Sequence, residues 1–98
     1  MLYLLAIINY DQHDYSEAFR NFKTCFEKQE VKLGRANDDT LRTMLYLGKT
    51  HYFLGDSKQS LSLLTDCAKL CKSKPGKNHE LTGEVLAFIS SKLHVAQD

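Results

Sequence analysis

Displaced by 42 residues the chain matches itself without a gap, and few folds accommodate such a repeat within 98 residues. Leu5-Ala6 falls on Leu47-Gly48, Tyr10 on Tyr52, Asp14 on Asp56, Ala18 on Ser60, Phe22 on Leu64 and Cys25 on Cys67. A second displacement puts Gly34 on Gly76, Asp38 on Glu80, Thr40 on Thr82, Met44 on Leu86 and Leu47 on Ile89. Small residues fall on small ones and large on large. A unit of this length cannot bury its apolar face alone, so it stacks on its neighbours.

Each unit reads as two helices. Tyr15, Ala18, Phe19, Phe22, Cys25 and Phe26 step by three and four, which lays one apolar stripe along a helix. Leu61, Leu64, Cys67, Ala68, Leu70 and Cys71 repeat the pattern one period later. The preceding helices carry Leu41, Met44, Leu45, Leu47, Gly48 and Tyr52, and then Leu81, Val85, Leu86, Phe88, Ile89 and Leu93. Asp14 with Glu17, and Asp56 with Gln59, have the spacing of reciprocal helix caps. Gly55 supplies a tight turn, and Gly34 and Pro75-Gly76 end the second helix of each unit. The expected helices span roughly residues 1–12, 14–32, 38–54, 56–73 and 79–96. No segment reads as a strand. The last helix is expected to lay Phe88 and Ile89 on the 56–73 helix, with Glu84, Ser91 and Lys92 toward water.

The pattern Met44-x-x-Leu47-Gly48-x-x-His51, then Ser60-x-x-x-Leu64-x-x-Cys67, resembles the tetratricopeptide repeat. The first unit gives Leu2-x-x-Leu5-Ala6-x-x-Asn9, then Ala18-x-x-x-Phe22-x-x-Cys25. Asn9 and His51 stand where that family usually has Tyr. The family period is about 34 residues; the additional length here lies in the link Leu33 to Leu41. A long second helix followed by Leu-Gly, an acidic pair and Thr-Leu is similar to the repeats of kinesin light chains. The resemblance implies an all-α, right-handed α-solenoid of antiparallel helix pairs, about two and a half repeats. The units are about 1–36 and 37–78, with a half repeat at 79–98. Because neighbours share a core, the chain is expected to belong to a longer array, to self-associate at its ends, or to use its last helix as a cap.

Composition excludes several classes. A net charge of +1 offers no concentrated basic surface for nucleic acid or an anionic membrane. The apolar run Leu2 to Ile8 is far too short to span a bilayer and lacks a targeting segment's flanks. Three cysteines are an odd count, so reduced thiols and a cytoplasmic location are expected rather than a disulfide framework. Cys67 and Cys71 share a helix face with His79 following, but the other ligands of a zinc site are missing, and small apolar packing is the better account. His13, His51, His79 and His94 are scattered, with no partner order for acid–base or nucleophilic catalysis. Asn37-Asp38-Asp39 lacks the glycine and terminal glutamate of a calcium loop and reads as a helix cap. Lys69, Lys72, Lys74 and Lys77 read as a solvated turn at a helix C-terminus, with an acidic partner as the alternative. No catalytic residue, metal site or cofactor is expected.

The resemblance implies a peptide- or protein-binding scaffold whose concave groove is lined by the first helix of each repeat. An architectural segment without a ligand is the alternative; an enzyme would need a convergent polar cluster that the chain does not show. Repeat register places Tyr3, Ile7, Tyr10, Leu45, Lys49 and Tyr52 in the groove, with Arg42 beside them. The candidate peptide-binding set is Tyr3, Tyr10, Arg42, Leu45, Lys49 and Tyr52. Aromatic and arginine side chains dominate binding hot spots, and Arg42 and Lys49 favour a partly apolar ligand with an acidic residue. Tyr10 and Tyr52 can equally well fill space between helices. The asparagines of the carboxylate clamp found in some members of the family are absent.

Overall fold

In a computed structural model of the chain, residues 2–73 and 79–93 are described. They form helices α1 (Leu2–Asp11), α2 (Tyr15–Leu33), α3 (Asp38–Phe53), α4 (Ser57–Ser73) and α5 (His79–Phe88). A π-helical turn, Ile89–Leu93, continues α5. There is no strand among the described residues. The helices pair as α1 with α2 and α3 with α4; α2 joins the pairs and α5 lies against α4 and α3. Pro75-Gly76, Lys74, Lys77 and His94, and the side chain of His79, lie outside the described residues.

The turns follow from local chemistry. Asp14 accepts the Glu17 N–H at 3.3 Å, and Asp56 accepts the Gln59 N–H at 3.2 Å. Asn37 caps α3 by accepting the Asp39 N–H at 2.9 Å. Each bond satisfies one of the amide groups left unpaired at a helix start. The spacing at Asp14 predicts a reciprocal cap, but the Glu17 carboxylate turns outward to Arg20 at 2.9 Å, an exposed pair one helical turn on. Gly34 and Gly55 hold φ of 86° and 90°, the left-handed region that lets the chain reverse after α2 and α3 without a Cβ clash.

The core runs as one body through all five helices. Ala6, Ala18, Phe22, Leu41, Met44, Leu45, Leu64, Cys67, Cys71 and Val85 are fully buried, and Leu81 nearly so. Sequestering a side chain the size of Phe22 or Leu64 contributes about 1.5–3 kcal/mol. The repeat-equivalent small positions explain how the pairs close. Ala6 and Gly48 are 42 residues apart, as are Ala18 and Ser60, and Ala6, Ala18 and Ser60 have no exposed surface. At Gly48 a Cβ would stand 2.7 Å from Leu64 Cδ2 and 2.8 Å from its Cγ. Helices α3 and α4 therefore touch backbone to side chain at that point.

α5 lies against both α4 and α3, and on the α3 side the Phe88 ring meets Tyr52 at 5.6 Å and Phe53 at 6.3 Å. Ile89 is half-buried against the core. Glu84, Ser91 and Lys92 are exposed.

Gly48→Leu is expected to destabilise the chain by roughly 1–3 kcal/mol, because even a Cβ there would overlap the fully buried Leu64. A Cβ added at Gly83, which stands exposed on α5, would meet nothing within 4 Å. Gly83→Ala should then stabilise by up to about 1 kcal/mol through helix propensity. Denaturant unfolding followed by circular dichroism separates the two; equal midpoints would contradict the close approach at Gly48.

Candidate functional site

The first helices of the units, α1, α3 and α5, are tied together by aromatic side chains. Tyr3 meets Phe22 and Tyr46, each at 6.2 Å and edge to face. Tyr10 meets Tyr46 at 5.4 Å, Tyr15 at 5.6 Å and Phe53 at 6.0 Å. Phe53 stacks on Tyr15 at 4.7 Å, and Phe22 on Tyr46 at 5.2 Å. Tyr52 reaches the network through Phe53 and Phe88. Every tyrosine of the chain belongs to it. Edge-to-face and offset pairs are each worth about 0.5–1.5 kcal/mol beyond their burial, so the network both holds the helices in register and forms a surface.

The structure brings together most of the residues expected in the groove and removes one. Tyr3, Ile7, Tyr10, Arg42, Lys49 and Tyr52 are partly exposed. Leu45 is fully buried, a correction with a simple cause. Repeat register pairs Leu45 with Tyr3. On α3, however, Leu45 falls on the stripe of Leu41 and Gly48 that faces the core. The surface position belongs to Tyr46, one residue on. Repeat register overlooks Tyr46 and Phe53; the spacing Arg42, Tyr46, Lys49, Phe53, at i, i+4, i+7 and i+11, marks their common face.

Lys49 is already engaged. Its ammonium sits 5.2 Å from the Tyr46 ring centre and 5.7 Å from that of Phe88. Burial lowers its pKa, and the Glu84 carboxylate opposes the shift. The charge expected to meet a ligand thus joins α3 to α5 through a cation–π contact. Arg42 makes no ion pair among the described residues. It lines a cleft of about 380 Å³ with Tyr3, Leu4, Gln29 and Asp39. Gln29 Oε1, in the wall of that cleft, is buried and has no hydrogen-bond partner among the described residues.

Burial dominates the electrostatics of Tyr3, Tyr10 and Tyr46. It pushes Tyr3 up to about 12, with Tyr46 adding and Arg42 opposing. Tyr10 is also pushed up to about 12, chiefly by burial and then by Tyr15. Tyr46 is raised by burial and by the Glu84 carboxylate. On the opposite side, His51 is lowered by burial against a Phe19 ring at 5.0 Å, although Asp56 lies 3.9 Å away and works to raise it.

The cysteines are free and buried. The Cys67 thiol donates to the Leu41 carbonyl at 3.4 Å, and burial, with Cys71 beside it, pushes its pKa well up. Cys25 is raised by burial, with the neighbouring Thr43 hydroxyl and the Lys28 charge working the other way. Among the described residues there is no group of three or more His, Cys, Asp or Glu that could hold a metal ion. No helix of the described residues is long and apolar enough to cross a membrane.

The family model described as tetratricopeptide repeat matches residues 1–73. No curated protein and no solved structure matches the chain.

Two outcomes test this geometry. In a 295 nm titration, Tyr3 and Tyr10 should ionise near pH 12 in the folded chain and near 10 in denaturant. Because their folded pKa values are raised, the stability linked to the neutral phenols is complete below pH 10 and is lost as pH rises through about 12. Uniform titration of all the tyrosines near 10 would place the rings in water. Thiol reagents should label Cys25, Cys67 and Cys71 slowly in the native chain and fully after denaturation; fast native labelling would contradict their burial.

Proposed function

The chain belongs to the tetratricopeptide repeat family, a non-catalytic scaffold repeat that generally mediates protein–protein interaction, and we propose that it binds a peptide or protein partner along the groove formed by α1, α3 and α5. The observation that carries this reading is the aromatic face of those helices, with Arg42 at its edge making no ion pair among the described residues. Tyr3, Tyr10, Tyr46 and Tyr52 supply flat, rigid contact area, and Arg42 supplies the charge-assisted bonds that fix orientation. Lys49 holds α5 in place behind them. The preferred ligand is a partly apolar peptide with one acidic residue; Asp39, Asp11 and Glu84 disfavour a highly acidic one. The 42-residue period supports a kinesin-light-chain-like subtype. Buried, unpaired thiols support a cytoplasmic location. The 98 residues act as one helical-repeat module, and the shared core at its ends suits neighbouring repeats.

Arg42→Glu tests the reading more cleanly than any change at Lys49, because Lys49 ties α3 to α5. Peptides selected from a random displayed library on the wild-type chain should carry an acid beside large apolar residues. Their affinity for Arg42→Glu should fall at least tenfold, about 1.4 kcal/mol, while helicity is unchanged. Equal affinity for a folded Arg42→Glu chain would move the interaction off this groove.

A further inference from the structure

Where α3 joins the first helix pair, the cleft of about 380 Å³ is lined by Tyr3 and Leu4 of α1, Gln29 of α2, and Asp39 and Arg42 of α3. The second junction, where α5 joins α3 and α4, is built differently. Displaced by 42 residues, Tyr3 falls on Leu45, Gln29 on Cys71 and Asp39 on Leu81. Those three belong to one core: Leu45 and Cys71 are fully buried and Leu81 is 1% exposed. At the second junction a leucine of the incoming helix is thus packed inward. At the first junction the same position of the incoming helix holds Asp39, which is exposed. An ionised carboxylate is nearly the shape of a leucine side chain, yet it keeps its water rather than enter an apolar gap. The walls of the gap, and the position that could have filled it, all belong to α1, α2 and α3.

We propose that this cleft seats one large aliphatic side chain of the bound peptide, in the role that Leu81 fills at the second junction. The inference rests on the groove reading and adds a pocket to it. The ligand's acid meets Arg42 at the rim, and its aliphatic residue enters between Tyr3, Leu4 and Gln29. A cavity of about 150 Å³ takes a benzene ring, so a cleft of 380 Å³ takes an aliphatic side chain with the main chain that carries it. The Tyr3 ring and the half-exposed Leu4 supply apolar surface for it to cover. Leu81 is the internal template that favours an aliphatic occupant over an aromatic one.

The probe is the synthetic peptide most enriched when a random displayed library is selected on the 98-residue chain. It should carry one Leu, Ile or Met near its acid, and replacing that residue by Ala should weaken binding at least tenfold. Asp39→Leu copies the second junction into the first. It should raise the denaturant midpoint, as cavity filling does, and weaken the peptide at least tenfold. Against that variant the Ala peptide should lose little more. Asp39→Asn keeps the shape and polarity of the site without the charge, and should bind at least as well as the wild type. The helix cap survives these changes, because Asn37 accepts the main-chain N–H of Asp39 and does not use its carboxylate. If Asp39→Leu loses helicity, Asp39→Met reads out the same filling. Wild-type affinity in Asp39→Leu, with loss in Arg42→Glu, overturns the pocket and leaves the groove standing. Wild-type affinity in both, or a library that yields no binder, removes the groove as well. Equal loss in Asp39→Leu and Asp39→Asn traces the effect to charge and overturns the filling. Enrichment of Phe, Tyr or Trp in place of the aliphatic residue overturns the occupant.

Discussion

At Gly48 the backbone of α3 comes so near Leu64 that a single added carbon would overlap it, at 2.7 Å from Cδ2. That contact sets the spacing of the α3–α4 pair. Once the pair is closed, Met44, Leu45, Leu64 and Cys67 lie within one sealed space and have no exposed surface. The first pair reaches the same end with Ala6 and Ala18. Close-packed interiors respond to a change of even one methylene, so the small positions are where the repeat is least tolerant. Everything on the outside of the solenoid, including which rings meet across α1, α3 and α5, follows from how tightly these pairs close.

The polar groups serve the same geometry. Asp14, Asn37 and Asp56 each close the start of a helix with a bond of 2.9–3.3 Å. They fix where each helix starts, and so the phase of its apolar stripe. Surface pairs such as Arg20–Glu17 add little, as exposed ion pairs typically do. Lys49 is held over Tyr46 of its own helix and Phe88 of α5. Its ammonium is partly desolvated there, which is why its pKa falls, and the rings offset that loss. A charge that the sequence alone assigns to a ligand thus also bridges two helices.

A solenoid of this kind has two sorts of free surface, and the chemistry of each differs here. The side made by α1, α3 and α5 is aromatic with charges of both signs at its margin. The face of α1 that carries Leu4, Leu5 and Ile8 is aliphatic and exposed. Burial of the Tyr3 and Tyr10 hydroxyls raises both to about 12, so these rings stay neutral throughout the physiological range. His51, whose pKa burial lowers, lies on the other side of α3 against Phe19.

The helices, their caps and their pairing are legible in the order of residues alone. Helix periodicity, the Asp14 and Asp56 caps, Gly34 and Gly55 at positive φ, and the small residues at Ala6, Gly48, Ala18 and Ser60 all act within a turn or one repeat, where spacing along the chain is spacing in space. The buried cysteines are legible for the same reason, since Cys25 and Cys67 occupy one repeated core position. Which side of each first helix faces outward is settled only by packing. A helix advances about 100° per residue, so an error of one position in register exchanges core for surface. Repeat register assigns Leu45 to the groove, yet Leu45 lies in the core and Tyr46 takes its place. Of the two rings beside Lys49, Tyr46 lies one turn back on α3 and is legible from spacing; Phe88 is not, because it belongs to α5 and reaches α3 through the rings of Tyr52 and Phe53. Phe88 is far from Lys49 in the chain, and only the packed helices bring its ring within reach of that ammonium.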